Sequence, residues 1–190
     1  QFKPTTVIHL AAETGTGQSL TESSRHVGVN LLGTSTMLDA FVGKGIVPKN
    51  FVLTSSRAVY GEGLWLDTEG RKVSPGLRDK AQLEAHIWDF PDLKFTPFCA
   101  SDTPPAPTNI YAATKLAQEH ILAAWTQAFG ASLDIPRLQN VYGPGQALQN
   151  PYTGIISLFA RLSNEGQQID LYEDGEMQRD FVFIGDVVSA

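Results

Sequence analysis

A tyrosine and a lysine stand four residues apart in Tyr111-Ala112-Ala113-Thr114-Lys115, and Thr54-Ser55-Ser56 closes an apolar stretch ahead of them. On a helix, residues i and i+4 share a face. A free tyrosine titrates near pKa ~10, too high to take a proton at neutral pH. A neighbouring ammonium favours the phenolate and makes the phenol a usable general base. A serine hydroxyl delivered beside them can hold the reacting oxygen. The trio points to oxidation and reduction at a carbinol, with a nicotinamide as hydride carrier. Tyr-x-x-x-Lys by itself also describes a solvated helix pair, so the surrounding elements decide the reading.

Phe51-Val52-Leu53 reads as a buried strand within residues 50–55 that carries Thr54, Ser55 and Ser56 at its end. Residues 6–12 read as a second buried parallel strand ending at small residues, where Ala11 and Ala12 suit the approach of a flat ring to the backbone. Residues 109–129 form the strongest helical pattern, with Asn109 as N-cap and Gly130 as stop. Residues 28–43 are helical by the spacing of Val29, Leu32, Leu38 and Phe41, which buries the polar Asn30. Residues 19–27 read as a loop or short helix, and 131–139 as a strand that Pro136 must distort. Further on, 154–166 predicts a helix, 168–173 a strand, 173–176 a turn and 181–184 a short strand. Residues 62–106 read as a long insertion with a short helix over 79–89, held down by Trp65, Trp88 and Phe90 and acting as a lid.

The chain has 190 residues, 42% of them hydrophobic, which is enough for a globular core. A net charge of −6 disfavours nucleic acid and anionic membranes as partners. No apolar run approaches the ~18 residues of a membrane span. The single Cys99 excludes an internal disulfide and fits a reducing cytoplasm. His9, His26, His86 and His120 lack paired ligand spacing, so no metal site is expected.

Six segments stand in order along the chain: Val7–Ala12, Val29–Thr34, Thr54–Gly61, Tyr111–Lys115, Asn140–Gly145 and Gln178–Val182. Together they resemble the extended short-chain dehydrogenase/reductase family, whose members include NAD-dependent nucleotide-sugar epimerases and dehydratases. Ala12–Ser19, Leu138–Gln146 and Asn150–Ile155 are similar to bacterial enzymes acting at carbon 4 of dTDP-deoxyhexoses or UDP-hexoses, of the dTDP-L-rhamnose 4-epimerase and UDP-glucose 4-epimerase types. The resemblance implies an α/β, Rossmann-like doubly wound parallel sheet over residues 1–140 and the start of a substrate-binding region over 141–190. No Gly-rich turn between a strand and a helix is present, so the chain is read as an internal fragment lacking the N-terminal βαβ unit.

By the same resemblance, Ser56, Tyr111 and Lys115 are catalytic, with Tyr111 taking the sugar hydroxyl proton and Lys115 bonding the nicotinamide ribose. Leu10, Ala11, Ala12, Asn30, Thr54 and Ser55 join Tyr111 and Lys115 in lining the cofactor cleft. Ser56, Asn140 and Arg179 contact the sugar nucleotide, an arginine fork matching its phosphates. The implied reaction is NAD-dependent oxidation at carbon 4, rotation of the keto sugar and return of the hydride to its other face. The family's 4,6-dehydratases carry an Asp-Glu pair directly after the catalytic Ser/Thr; Arg57 and Ala58 stand there instead, which disfavours dehydration. A 4-ketoreductase using NADP and a non-catalytic nucleotide-binding protein on the same scaffold are the other readings. The helices over 28–43 and 109–129 are expected to form a homodimer interface.

Overall fold

The computed structural model describes residues 2–97, 99–147 and 154–190. In chain order the elements are β1 (Thr6–His9), α1 (Ser23–Val27), α2 (Gly33–Gly43), β2 (Asn50–Leu53) and β3 (Ser55–Ser56). Next come β4 (Trp65–Leu66), β5 (Lys72–Val73), α3 (Lys80–Glu84), β6 (Lys94–Phe95) and α4 (Ile110–Phe129). The remainder are β7 (Ser132–Asp134), β8 (Arg137–Leu138), β9 (Asn140–Tyr142), α5 (Ile155–Asn164), β10 (Phe181–Phe183) and α6 (Ile184–Ser189). Two units form, one of Gln1–Leu77 with Phe95–Arg137, the other of Arg78–Lys94 with Leu138–Ala190.

The first unit is built on a parallel sheet in the order β1-β2-β7, with His9 beside Leu53 and Phe51 beside Leu133. Parallel neighbours need long crossovers, and the segments carrying α2 and α4 supply them. Phe51 and Leu53 lie on one face of β2 and meet Leu38 of α2 and Leu122 of α4 in a buried cluster. Phe41 and Trp125 set their rings edge-on to Phe51, with centroids at 6.0 and 5.4 Å. Burying Phe51 completely contributes about 1.5–3 kcal/mol.

Helix α4 begins and ends where local chemistry directs. The Asn109 side chain accepts the Ala112 N–H at 2.8 Å, and Gly130, at φ 71°, closes the last turn. The interior holds no glycine or proline and is rich in alanine.

Several elements differ from the sequence expectation. Strand β1 is parallel, but it ends at His9 and is not buried: Ile8 is 62% exposed and Leu10 66%. Its ladder partner is β2, and no described element covers that face, so the apolar run does not here mark a two-sided core strand. The helix over 28–43 opens with a π-turn, Gly28–Leu32, before α2. Pro136 divides 131–139 into β7 and β8, and its carbonyl instead accepts the Ser55 N–H at 2.9 Å. Residues 168–173 form no strand; the alternation there finds no ladder partner among the described residues. The 62–106 stretch has structure of its own, an antiparallel β4–β5 pair and the five-residue α3 capped by Asp79.

In the second unit β9 and β10 run parallel, with Asn140 beside Phe181 and Tyr142 beside Phe183. Gly143, at φ 148°, has no room for a side chain: a Cβ there would lie 2.4 Å from the Ile184 Cγ2. No helix among the described residues is long and apolar enough to cross a membrane. Residues 150–153 of the Asn150–Ile155 segment lie outside the described residues.

Candidate active site

Ser56 ends β3 in extended conformation and caps the short 3-10 turn Arg57–Tyr60. Its Oγ accepts the Ala58 N–H at 3.1 Å, which fixes the oxygen and leaves its own proton to donate elsewhere. Gly61, at φ 60°, follows that turn because a Cβ would lie 2.1 Å from the Ala106 carbonyl oxygen. Arg57 is partly buried; burial lowers its pKa below the ordinary arginine value and Glu62 offsets this in part.

Tyr111 and Lys115 lie one turn apart in α4, a few residues beyond its cap. Lys115 is only 2% exposed, and burial pushes its pKa down to about 8 against the opposing pull of Glu119. Its Nζ donates to Gln118 Oε1 at 2.6 Å. Asn30 is fully buried and clamps the two peptides that flank Glu13 in the loop after β1, accepting the Glu13 N–H at 2.7 Å and donating to the Glu13 carbonyl at 3.0 Å. The same amide donates to Thr114 Oγ1 at 2.9 Å, and that hydroxyl donates to the Tyr111 carbonyl at 2.8 Å. The end of β1 is thereby tied to the turn of α4 that carries Tyr111.

The remaining expected residues fall in two groups. Ala11 and Ala12 follow β1 as exposed, irregular chain, and Thr54 Oγ1 donates to the His9 carbonyl at 3.3 Å. Ser55 is buried with its hydroxyl given to the Glu119 carboxylate. Asn140 and Arg179 belong to the second unit. There Asn140 donates to the Asp180 carbonyl from Nδ2 at 2.8 Å, so Arg179 is next in chain to its partner.

Sequence reasoning missed Gln118, Glu119 and Arg137. Arg137 donates to both Glu119 oxygens, at 3.0 and 2.7 Å, and its guanidinium lies 4.9 Å from the Tyr60 ring centroid. Gln118 and Glu119 sit three and four residues beyond Lys115, on its helix face, and that spacing was the available signal.

Comparison with known proteins agrees with this architecture. A family model described as "NAD dependent epimerase/dehydratase family" matches residues 90–190, just over half of the chain, and one described as "GDP-mannose 4,6 dehydratase" matches residues 1–69. The dTDP-L-rhamnose 4-epimerase of Burkholderia thailandensis is 59% identical over 189 residues, covering all of this chain and 52% of that protein. A probable UDP-glucuronate 4-epimerase of Rhizobium meliloti is 28% identical, over 99% of this chain and 45% of its own. Among solved structures, the UDP-glucose 4-epimerase of Thermus thermophilus in complex with NAD is 30% identical, with a TM-score of 0.69 over 98% of this chain and 51% of that one. The structure of RMD from Pseudomonas aeruginosa with NADPH is 28% identical, with a TM-score of 0.68 over 98% of this chain and 54% of that one. The chain spans about half the length of the curated relatives it matches.

Proposed function

Because the chain belongs to the NAD-dependent epimerase/dehydratase family, we propose that it carries the catalytic residues of a nucleotide-sugar 4-epimerase acting on a dTDP- or UDP-linked hexose or deoxyhexose. The observation that carries this reading is the pairing of Tyr111 with a buried Lys115 on successive turns of α4. The 59% identity to a dTDP-L-rhamnose 4-epimerase supports that sugar nucleotide as the first candidate substrate.

The residues fit a nicotinamide dinucleotide. An ammonium has three donors, and Lys115 gives one to Gln118, leaving two for ribose hydroxyls. The open chain at Leu10, Ala11 and Ala12 offers backbone, with small side chains at the two alanines, for a flat ring, and Asn30 holds the peptides on either side of Glu13. Bound NAD supplies a reversible hydride acceptor at carbon 4 of the sugar. Tyr111 takes the proton of the carbon-4 hydroxyl and returns it, with the Lys115 ammonium one helical turn away. Ser56, anchored by the Ala58 N–H, donates to the same sugar oxygen. In the second unit, Asn140 and Arg179 are assigned to the sugar nucleotide, Arg179 to its diphosphate. Neither Arg57 nor Ala58 is an acid able to protonate a leaving hydroxyl, which supports epimerisation over dehydration. Exposed Val29, Leu32 and Phe129 support a homodimer through α2, the turn before it and α4, which light scattering of the complete protein would test.

The test of activity is a proton NMR time course on the complete protein with dTDP-L-rhamnose and UDP-glucose, without added reduced cofactor. A new carbon-4 epimer approaching a constant ratio is the expected result. No epimer from either sugar, with a 4-keto sugar reduced only when NADPH is supplied, would move the assignment to a 4-ketoreductase.

A further inference from the structure

Gln118 is fully buried between α4 and the segment that carries the π-turn and α2, and its amide has one permitted orientation. Its Oε1 receives the Lys115 ammonium at 2.6 Å, and its Nε2 donates to Thr34 Oγ1 at 2.9 Å. The Thr34 hydroxyl proton is already given to the Asn30 carbonyl at 2.6 Å, so toward Gln118 that oxygen can only accept. His9 Nε2 lies 3.0 Å from the same Thr34 oxygen and therefore donates to it. Its 3.4 Å approach to Gln118 Nε2 then joins two donors and is a contact rather than a bond. Donor and acceptor counting thus leaves a single arrangement, with the amide oxygen facing Lys115.

The charged and titratable neighbours of the ammonium are few. Tyr111 and Glu119 lie one turn before and after it on α4, and Arg137 already holds the Glu119 carboxylate. From β1 comes His9, whose pKa is lowered by burial and then by the Lys115 charge, so it faces Lys115 as a neutral ring near pH 7. The packed residues Asn30 and Thr34 carry no charge.

We propose that Gln118 is a positioning residue for Lys115, its locked amide oxygen aiming the buried ammonium and keeping it protonated while two N–H groups stay free for a ligand's vicinal hydroxyls. This rests on the assignment of Lys115 to cofactor binding made above. A neutral acceptor stabilises the charged form of the amine, so its removal lowers the proton affinity of Lys115 and a carboxylate in its place raises it.

The experiment is a pH titration of the Lys115 side chain by NMR of lysine-labelled complete protein, for wild type, Gln118→Leu and Gln118→Glu, with kcat and KM profiles on the same samples. The wild-type midpoint is expected at about 8. The leucine variant should titrate about one pH unit lower, a roughly tenfold loss of proton affinity, with the alkaline limb of kcat moving alongside. The glutamate variant should titrate higher and recover the alkaline limb. Midpoints that stay at the wild-type value in both variants, or in the glutamate variant alone should the leucine variant not fold, would overturn the proposal. The midpoint needs no turnover. A protein that titrates as expected but epimerises neither sugar refutes the activity and leaves Gln118 standing, whereas one that epimerises with unmoved midpoints does the reverse.

Discussion

Arg137 grips Glu119 through two guanidinium nitrogens, at 3.0 and 2.7 Å, in a setting where the Glu119 side chain is only 6% exposed. Ser55 donates to the same carboxylate from the strand end that precedes Ser56. Arg137→Met would strand a buried carboxylate and should cost about 3–5 kcal/mol in denaturant unfolding. Pairing it with Glu119→Leu should return much of that loss, because the penalty belongs to the unpaired charge rather than to the absent bond. A double variant as unstable as Arg137→Met alone would contradict this.

Tyr111 is assigned the proton transfer and, on the present geometry, little of the folding energy. Tyr111→Phe should lower kcat by about 10²–10⁴-fold, measured by NMR epimerisation, with the melting temperature within a degree or two of wild type. Retained turnover would remove Tyr111 from the chemistry.

Lys115 carries a pH signature in stability. Its pKa falls from 10.5 in the unfolded chain to about 8 in the fold, so between those values the unfolded state binds the extra proton. Stability from this group therefore rises with pH across that window, and the cost of burying the ammonium is present in full below about 8. The gap in unfolding free energy between Lys115→Met and wild type should narrow, in favour of wild type, on moving from pH 8 toward 10.5. A gap that is flat across the window would mean that Lys115 is not buried as described.

Phe51 anchors the shared core of β2, α2 and α4. Phe51→Ala should destabilise by about 3–5 kcal/mol, the range for an aromatic ring removed from a closed core, read from the shift in urea midpoint at constant slope.

What could be read from the sequence was what is local. Asn109 and Gly130 bracket α4 through bonds spanning three and four residues, and Tyr111 with Lys115 announces itself by one helical turn. Asn30 is buried as expected but not for the expected reason: Val29 and Leu32 beside it are exposed, and it goes inward with His26, Thr34 and Leu38, one helical turn apart on a mostly polar face. The Gln118–Thr34 and Ser55–Glu119 bonds join residues 84 and 64 apart, and no periodicity encodes such pairs. The same limit accounts for β1: an apolar run tells that a strand forms, but its covering is decided by other segments. It also accounts for 168–173, where Gln168, Asp170 and Tyr172 alternate with Ile169 and Leu171 yet find no ladder. Family resemblance supplied roles for Asn140 and Arg179 that no local pattern could.

The Asn30 clamp has a consequence for the timescale on which the loop after β1 opens. The Glu13 amide lies in irregular chain but is bonded at 2.7 Å to a fully buried side chain. Its solvent deuterium exchange should therefore be set by the opening of the α2–α4 layer and not by local fraying, which leaves one slow proton in a stretch of fast ones. The loop that borders the candidate cofactor site is thus pinned at Glu13 and again at the Thr14 carbonyl, which lies 3.2 Å from Nε2 of the buried His26.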